Sequence, residues 1–176
     1  MKPLSLKMRA ISLLSQREHS RSELRLKLLR SLRKDLAAAA AQAAMAPQDQ
    51  PGPNPDLEST HSVDPEDQIE TLLDWLQQQG YLSDERFVDS RIHARAARYG
   101  DLRIKQELAQ HGLSLSAEKL ADLKSGEFER AKAIWSRKFG GQAAPDLAMK
   151  AKQMRFLIAR GFSSETVRKL LNAKDE

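Results

Sequence analysis

Three short stretches, each a glycine followed within three residues by a serine, constrain the fold of this chain more than any other feature of its sequence. They are GYLS at residues 80–83, GLS at 112–114 and GFS at 161–163. Glycine tolerates the left-handed backbone that often closes a helix, and serine is a preferred cap at the start of the next one. The stretches therefore predict a helix–loop–helix unit that is used several times along the chain.

The residues around these stretches predict where individual helices begin. Ser83 and Ser163 each lie between apolar residues at the spacing of a hydrophobic staple. Ser20 and Glu23 have the spacing of a capping box, and Ser116 is a better cap than Ser114 for the helix after the second stretch. Four helix starts are thus predicted from local chemistry alone.

The spacing of apolar residues predicts an all-α fold. Leu, Ile and Ala recur at helical intervals almost everywhere outside residues 46–65, and no stretch alternates like a strand. Residues 46–65 hold five of the seven prolines and several acids, so they are predicted to be a disordered linker. The alanine run at 37–44 is predicted to prolong the preceding helix into this linker.

Composition excludes several classes of protein. The chain of 176 residues has no cysteine, so it has neither a disulfide framework nor a thiolate zinc site. Its longest apolar runs fall short of the roughly 20 residues that span a bilayer, and no signal-peptide core is present at its N-terminus. We therefore expect a soluble cytoplasmic protein, and a monomer by default.

Charge is distributed unevenly along the chain. Residues 1–34 carry ten Lys or Arg against two Asp or Glu, whereas residues 35–70 carry eight acids and no Lys or Arg. The rest of the chain is again basic, and the net charge is +5. Basic faces of this kind suit nucleic acid or an acidic protein groove, and they are also common on solvated helices.

The helix predicted from residue 84 onward carries a basic stripe. At about 100° per residue, Val88, Ile92, Ala96 and Tyr99 form its buried face. Three arginines follow i, i+4, i+7 spacing roughly a quarter turn away, and two cations of the next helix extend the patch. These five residues are Arg91, Arg95, Arg98, Arg103 and Lys105. Few acids lie on that stripe, which favours a binding role over simple solvation.

Catalytic patterns do not occur in the sequence. The four histidines lack metal-ligand spacing, and the chain has no phosphate-binding glycine loop or nucleophile elbow. Asp84 and Glu85 fall in the first turn of a predicted helix, where negative charge favours the helix dipole. Adjacent helical residues point about 100° apart, so this pair does not converge on one substrate atom. We expect no catalytic residue, no metal site and no cofactor.

Five segments in order resemble one known family. They are REHSRSELRLKLL (17–29), GYLSDERFVDSRI (80–92), GDLRIKQELAQHGLS (100–114), AIWSRKFG (133–140) and RFLIARGFSSETVRKLL (155–171). Together they resemble the RecX family of recombination regulators, and they cover most of the chain.

The resemblance implies three tandem three-helix repeats, similar to helix-turn-helix units, in an elongated and curved array. Repeat one would occupy residues 1–79, interrupted by the acidic linker at about 46–65, and repeats two and three would occupy 80–125 and 126–176. Repeat one would have helices near 4–15, from 21 and over about 67–79. A compact family member would join its second and third helices by a short turn, whereas about 30 residues intervene here.

The resemblance also implies a function and a partner. RecX proteins lie in the groove of the RecA–DNA filament, inhibit its ATPase, strand-exchange and coprotease activities, and so affect recombination, DNA repair and the SOS response. Some also bind single- or double-stranded DNA. The basic stripe would then contact acidic filament surface, DNA phosphates or both, and four later cations would continue it. These four are Arg130, Lys132, Arg137 and Lys138.

Two other classes of function stay open at this point. Three-helix units with a capped second helix also occur in sequence-specific DNA-binding regulators, although no recognition or dimerisation helix is evident. A metal-dependent nuclease would require Asp84, Glu85 and Asp89 to act together, which their helical positions disfavour.

Overall fold

The computed structural model describes residues 5–44, 64–142 and 144–172, and all regular structure within these ranges is α-helical. The helices, in chain order, are α1 (Leu6–Leu14), α2 (Arg21–Ala44), α3 (Pro65–Gln78), α4 (Asp84–Ala96), α5 (Asp101–Ala109), α6 (Ala117–Ser125), α7 (Glu127–Phe139), α8 (Leu147–Ala159) and α9 (Ser164–Asn172). The predicted all-α class is confirmed.

The chain divides into two compact units, Met1–Asp84 and Glu85–Glu176. Buried side chains form one core in the first unit, among α1, α2 and α3. The second unit contains two cores, one on α4, α5 and α6 and one on α7, α8 and α9. Each core is thus built by three consecutive helices, as tandem three-helix repeats require.

The core of the first unit follows from helical spacing. Ile69, Leu73 and Leu76 recur at i, i+4, i+7 on α3, and Leu24 and Leu28 recur at i, i+4 on α2, so each helix presents one apolar stripe. All five side chains are fully buried. At about 1.5–3 kcal/mol for each buried side chain of this size, their burial is the main stabilising contribution in this unit.

Ion pairs cover the rim of the contact between α2 and α3. Arg21 lies 2.7 Å from both Glu70 and Asp74, and Arg25 pairs with Glu66 at 3.0 Å and with Glu70. Hydrogen bonds from Arg25 and Arg21 lower the pKa of Glu70. Much of the basic N-terminal charge is therefore neutralised inside the unit, by acids that follow the linker in sequence.

Helix boundaries in the first unit agree closely with the predicted ones, with one shift. The alanine run does prolong α2, which continues to Ala44. Helix α3 begins at Pro65, earlier than the predicted Asp67, because the Asp64 side chain caps the Glu66 amide and proline suits the first helical position. The rest of the predicted linker lies outside the described residues.

The predicted glycine stops are present, and so are the predicted serine caps at Ser20, Ser116 and Ser163. Gly80, Gly112 and Gly161 have φ values of 73°, 73° and 83°. Among the predicted caps, Ser116 Oγ accepts a hydrogen bond from the Lys119 amide at 3.2 Å, and Ser163 Oγ accepts one from the Thr166 amide at 3.3 Å. Local chemistry was sufficient to predict these starts and stops.

In the second unit, the turn before α5 packs closely against the turn between α8 and α9, and two backbone hydrogen bonds join them. The Gly100 amide donates to the Arg160 carbonyl at 3.0 Å, and the Leu102 amide donates to the Gly161 carbonyl at 3.0 Å. A Cβ at Gly100 would lie 2.3 Å from the Gly161 oxygen, and one at Gly161 would lie 2.5 Å from the Arg103 Cβ. This contact joins the two cores of the unit and leaves no room for a side chain.

Replacing Gly161 by alanine should therefore destabilise the protein more than the same change at Gly112. Both positions have left-handed backbone, which costs a non-glycine residue about 1–2 kcal/mol. A Cβ at Gly112 meets nothing within 4 Å, whereas one at Gly161 overpacks the turn at a further cost of about 1–3 kcal/mol. Urea unfolding of Gly161→Ala and Gly112→Ala compares the two, and equal losses would show that the close contact is not present.

Candidate functional site

Four cations converge at a groove in the second unit, which we call the cationic groove. Its walls carry Arg98, Arg137, Lys138 and Arg160, and its apolar lining is formed by Ala97, Ile134 and Phe156. No Asp or Glu is among these lining residues. Within the described parts of the chain, the side chains of Arg98, Arg137 and Lys138 form no ion pair. The groove therefore presents positive charge that the described residues do not neutralise.

Helix ends bring these cations together. Arg98 follows the C-terminus of α4, Arg137 and Lys138 lie in the last turn of α7, and Arg160 is the C-cap of α8. The negative end of each helix dipole favours cations there, so the placement is locally stable despite the repulsion between like charges. Arg160 also donates to the Arg98 carbonyl at 3.1 Å and stacks over Phe156 with its guanidinium carbon 4.7 Å from the ring centre.

A second group of arginines lies around one acid, in what we call the Glu107 groove. The Nε of Arg95 is 2.9 Å from Glu107 Oε2, and the Nε of Arg103 is 3.7 Å from Oε1. Both guanidinium groups lie over the Tyr99 ring, at 5.6 and 5.0 Å from its centre. Arg91 lies over the Phe87 ring at 5.0 Å and lines the same groove. Glu107 therefore partly neutralises the cations of this surface.

The structure separates the three arginines that the sequence places on one stripe. Arg91 and Arg95 line the Glu107 groove, whereas Arg98 lines the cationic groove. The stripe required helical geometry through residue 98, and α4 ends at Ala96. Arg98 therefore lies in the turn, where helical spacing no longer describes its direction. The predicted buried face is present. Val88 is buried in the core, and three partly buried side chains pack against the same core, namely Ile92, Ala96 and Tyr99.

Two of the other predicted contact residues line neither groove. Lys105 is half-buried on α5, where its charge partly opposes the burial that raises the pKa of Asp101. Lys132 is exposed on α7. The grooves therefore bring together six of the nine predicted cations, three in each.

Arg130 has partners inside the protein. It donates to the Asp101 carboxylate at 2.7 Å and to the Leu123 carbonyl at 2.8 Å, and its side chain is 19% exposed. Burial raises the pKa of Asp101, and Glu127 raises it further, while Arg130 opposes both effects. We therefore assign Arg130 to the packing of α5, α6 and α7, and we leave it out of the contact surface proposed below.

Glu127, the first residue of α7, is a buried acid that connects several helix starts. Its Oε1 accepts from the Ser163 amide at 3.0 Å, and its Oε2 accepts from the Ser163 and Thr166 hydroxyls, each at 2.6 Å. Burial alone would raise the pKa of Glu127, but these bonds and the Asp101 amide hold it below its ordinary value. Asp84 has a related role at the first position of α4, where it accepts the Arg21 amide at 2.9 Å.

The acids considered for a nuclease have structural partners. Besides the Asp84 contact, Glu85 and Asp89 lie 3.5 and 2.5 Å from the Lys119 ammonium. In the described ranges, no group of three or more His, Asp or Glu side chains is placed to hold a metal ion. Nor does any helix there combine the length and apolarity needed to cross a bilayer.

Arg160 is the cation that sequence reasoning missed. A signal for it was present, since Arg160 directly precedes the glycine of the GFS stretch, just as Lys138 lies two residues before Gly140. Basic residues just before a glycine stop recur at the C-termini of helices because the dipole favours them there. Only the contacts of the end of α8 with α7 and with the turn after α4 show that these helix ends meet.

The fold and the site together define an all-helical protein of tandem three-helix repeats with a cationic groove. Family models for RecX match twice, as its second three-helix domain over residues 83–116 and its third over residues 125–171. A crystal structure of regulatory protein RecX is similar with a TM-score of 0.57 at 21% identity, covering 97% of this chain and 72% of that one. This similarity supports the repeat fold.

Several relatives match over nearly the whole chain. The regulatory protein RecX of Ralstonia nicotianae is 42% identical, with 98% of this chain and 90% of that protein aligned. The RecX of Herbaspirillum seropedicae is 44% identical over 94% of this chain and 88% of its own, and that of Pseudomonas entomophila is 34% identical over 98% and 94%. The chain belongs to the RecX family of regulatory proteins.

Removing Arg130 should test its structural assignment. Arg130→Ala leaves the buried Asp101 carboxylate without its partner, which should lower the free energy of unfolding by about 3 kcal/mol. Lys132→Ala, on the exposed face of the same helix, should change it by less than about 0.5 kcal/mol. Urea unfolding at pH 7 measures both changes. Comparable stabilities of the two variants would contradict the structural assignment of Arg130.

The buried carboxylate of Glu127 should make stability depend on pH in the acid range. Its folded pKa lies below its unfolded value, so its stabilisation is complete above the unfolded pKa and is lost as the pH falls through the folded pKa. Glu127→Gln should therefore cost about 1–3 kcal/mol at pH 7 and progressively less below about pH 4. Urea midpoints between pH 7 and 3 test this, with the exposed Glu129→Gln as control; a difference that does not shrink in acid would contradict it.

Proposed function

We propose that this protein binds the RecA–DNA filament and inhibits the ATPase, strand-exchange and coprotease activities of RecA, thereby modulating homologous recombination and DNA repair. The observation that carries the proposal is the alignment with regulatory RecX proteins over nearly the whole chain, at 34–44% identity for the relatives above. Regulation through binding requires no catalytic group, and we propose a non-enzymatic mechanism in the cytoplasm without a cofactor.

The cationic groove supports the choice of contact surface. Arg98, Arg137 and Lys138 are exposed, and within the described residues they have no internal anion, so an external one would relieve their mutual repulsion. Acidic filament surface or DNA phosphates would both supply that charge. We propose that this groove makes the principal contact and that the Glu107 groove, with Arg91, Arg95 and Arg103, contributes less because Glu107 already pairs with two of its arginines.

The organisation of the chain supports binding across more than one filament subunit. We propose three repeats, at residues 1–79, 80–125 and 126–176, acting together as a monomer. Each of the three cores contains few side chains, so most of the surface of each repeat stays available for contact.

The decisive measurement is the RecA ATPase rate on single-stranded DNA as this protein is titrated in. We expect inhibition at well below one copy per RecA. The triple variant Arg98→Glu, Arg137→Glu, Lys138→Glu should need about tenfold more protein for the same inhibition, since three favourable contacts become repulsive. Unchanged inhibition by this variant would refute the groove as the contact surface.

A matched control separates the groove from net charge. The control is a triple variant with the same change in charge at exposed positions on α8 and α9 outside both grooves, namely Lys152→Glu, Arg155→Glu, Arg168→Glu. It should retain inhibition, and circular dichroism should show that both triple variants stay helical. Absence of inhibition by the natural chain, with binding to a particular DNA site retained, would favour a sequence-specific DNA-binding regulator instead.

A further inference from the structure

A third groove in the second unit has the opposite charge, and we call it the acidic groove. It lies between α4 and α6 and has a volume of about 460 Å³. Its apolar lining consists of Ile92, Ala96 and Leu123, and its polar lining is Asp89, Glu118, Lys119, Asp122 and Arg130. Three carboxylates and three apolar side chains thus line one concave surface.

Two of these carboxylates have no cation paired with them among the described residues. Asp89 is paired with Lys119, and the Arg130 guanidinium is paired with Asp101, so these groove residues are internally balanced. Glu118 and Asp122 are exposed, one turn apart on α6, and neither forms an ion pair within residues 5–44, 64–142 and 144–172. The groove therefore carries an excess of about two negative charges beside its apolar lining.

Helix stability does not explain the position of Asp122. Helix α6 runs from Ala117 to Ser125, so Asp122 lies in its last turn, where the helix dipole disfavours negative charge. Glu118 lies in the first turn, where the dipole favours it, but a carboxylate at i+4 from another adds repulsion along the same face. An external cation bound between the two would relieve both unfavourable terms.

The shape and charge together select one kind of occupant. A nucleic acid would be repelled by the two carboxylates, and a neutral apolar ligand would leave them without a partner. A polypeptide segment with Lys or Arg next to an aliphatic side chain satisfies both parts of the surface, because its cation reaches the carboxylates while its apolar group covers Ile92 and Ala96. We propose that the acidic groove docks a basic amphipathic segment of a protein partner.

This inference goes beyond the proposed function, since it concerns a surface of opposite charge and does not require that the partner be RecA. It can be tested with a defined probe. A fluorescein-labelled amphipathic helical peptide of lysine and leucine, titrated with the full chain and followed by anisotropy, should bind. The same peptide with glutamate in place of lysine should not bind.

Variants of the chain place the binding at the groove. The double variant Glu118→Lys, Asp122→Lys should lower the affinity for the lysine peptide at least about tenfold, because both attractive contacts become repulsive. The control double variant Glu129→Lys, Glu165→Lys makes the same change in charge at exposed positions on α7 and α9 outside the groove. It should lower the affinity for the lysine peptide less than about twofold. Equal weakening by the two double variants, or no binding by the natural chain, would overturn the proposal.

A conservative pair and an independent assay complete the test. The double variant Glu118→Gln, Asp122→Asn removes the charges without adding repulsion, so it should also lower the affinity for the lysine peptide. Circular dichroism reports whether the variant stays helical. RecA ATPase inhibition is measured separately on the same variants. Loss of peptide binding in these variants supports the docking site whether or not the protein inhibits RecA, because the two assays measure different interactions.

Discussion

The close contact between the turns at Gly100 and Gly161 is the constraint on which the second unit depends. Two backbone hydrogen bonds of 3.0 Å join these turns, and neither glycine has space for a Cβ. Glu127 strengthens the same region by accepting bonds from the start of α9 and from the Asp101 amide. Since Arg98 and Arg160 lie on either side of this contact, the convergence of cations at the cationic groove follows from it.

Charge is used differently in the two units. In the first unit, arginines on α2 form ion pairs with glutamates on α3. Part of the basic charge at the start of the sequence is therefore neutralised within this unit. In the second unit, cations gather at helix ends and acids gather on α6, with few pairs between them. The cationic groove and the acidic groove both lie in the second unit.

Sequence reasoning was most reliable where the cause of a structure is local. Glycine stops, serine caps and the extension of α2 through its alanines all depend on a few adjacent residues, and the structure contains them. The predicted arginine stripe depended on where α4 ends. Helix α4 ends at Ala96 and Arg98 lies in the turn that follows, so Arg98 lies beside Arg137 and Lys138 and not with Arg91 and Arg95, as helical spacing had placed it.

By itself, then, the sequence determined the all-α class, most helix ends, the core stripes and the resemblance to RecX, because each of these depends on residue type and short-range spacing. Only the tertiary structure decided which charges are neutralised and which remain available. Arg130 and Lys132 are two residues apart and equally basic, yet one meets a buried carboxylate 29 residues away in sequence and the other meets solvent. Pairing between distant charges depends on how helices pack, and spacing along one helix does not encode it.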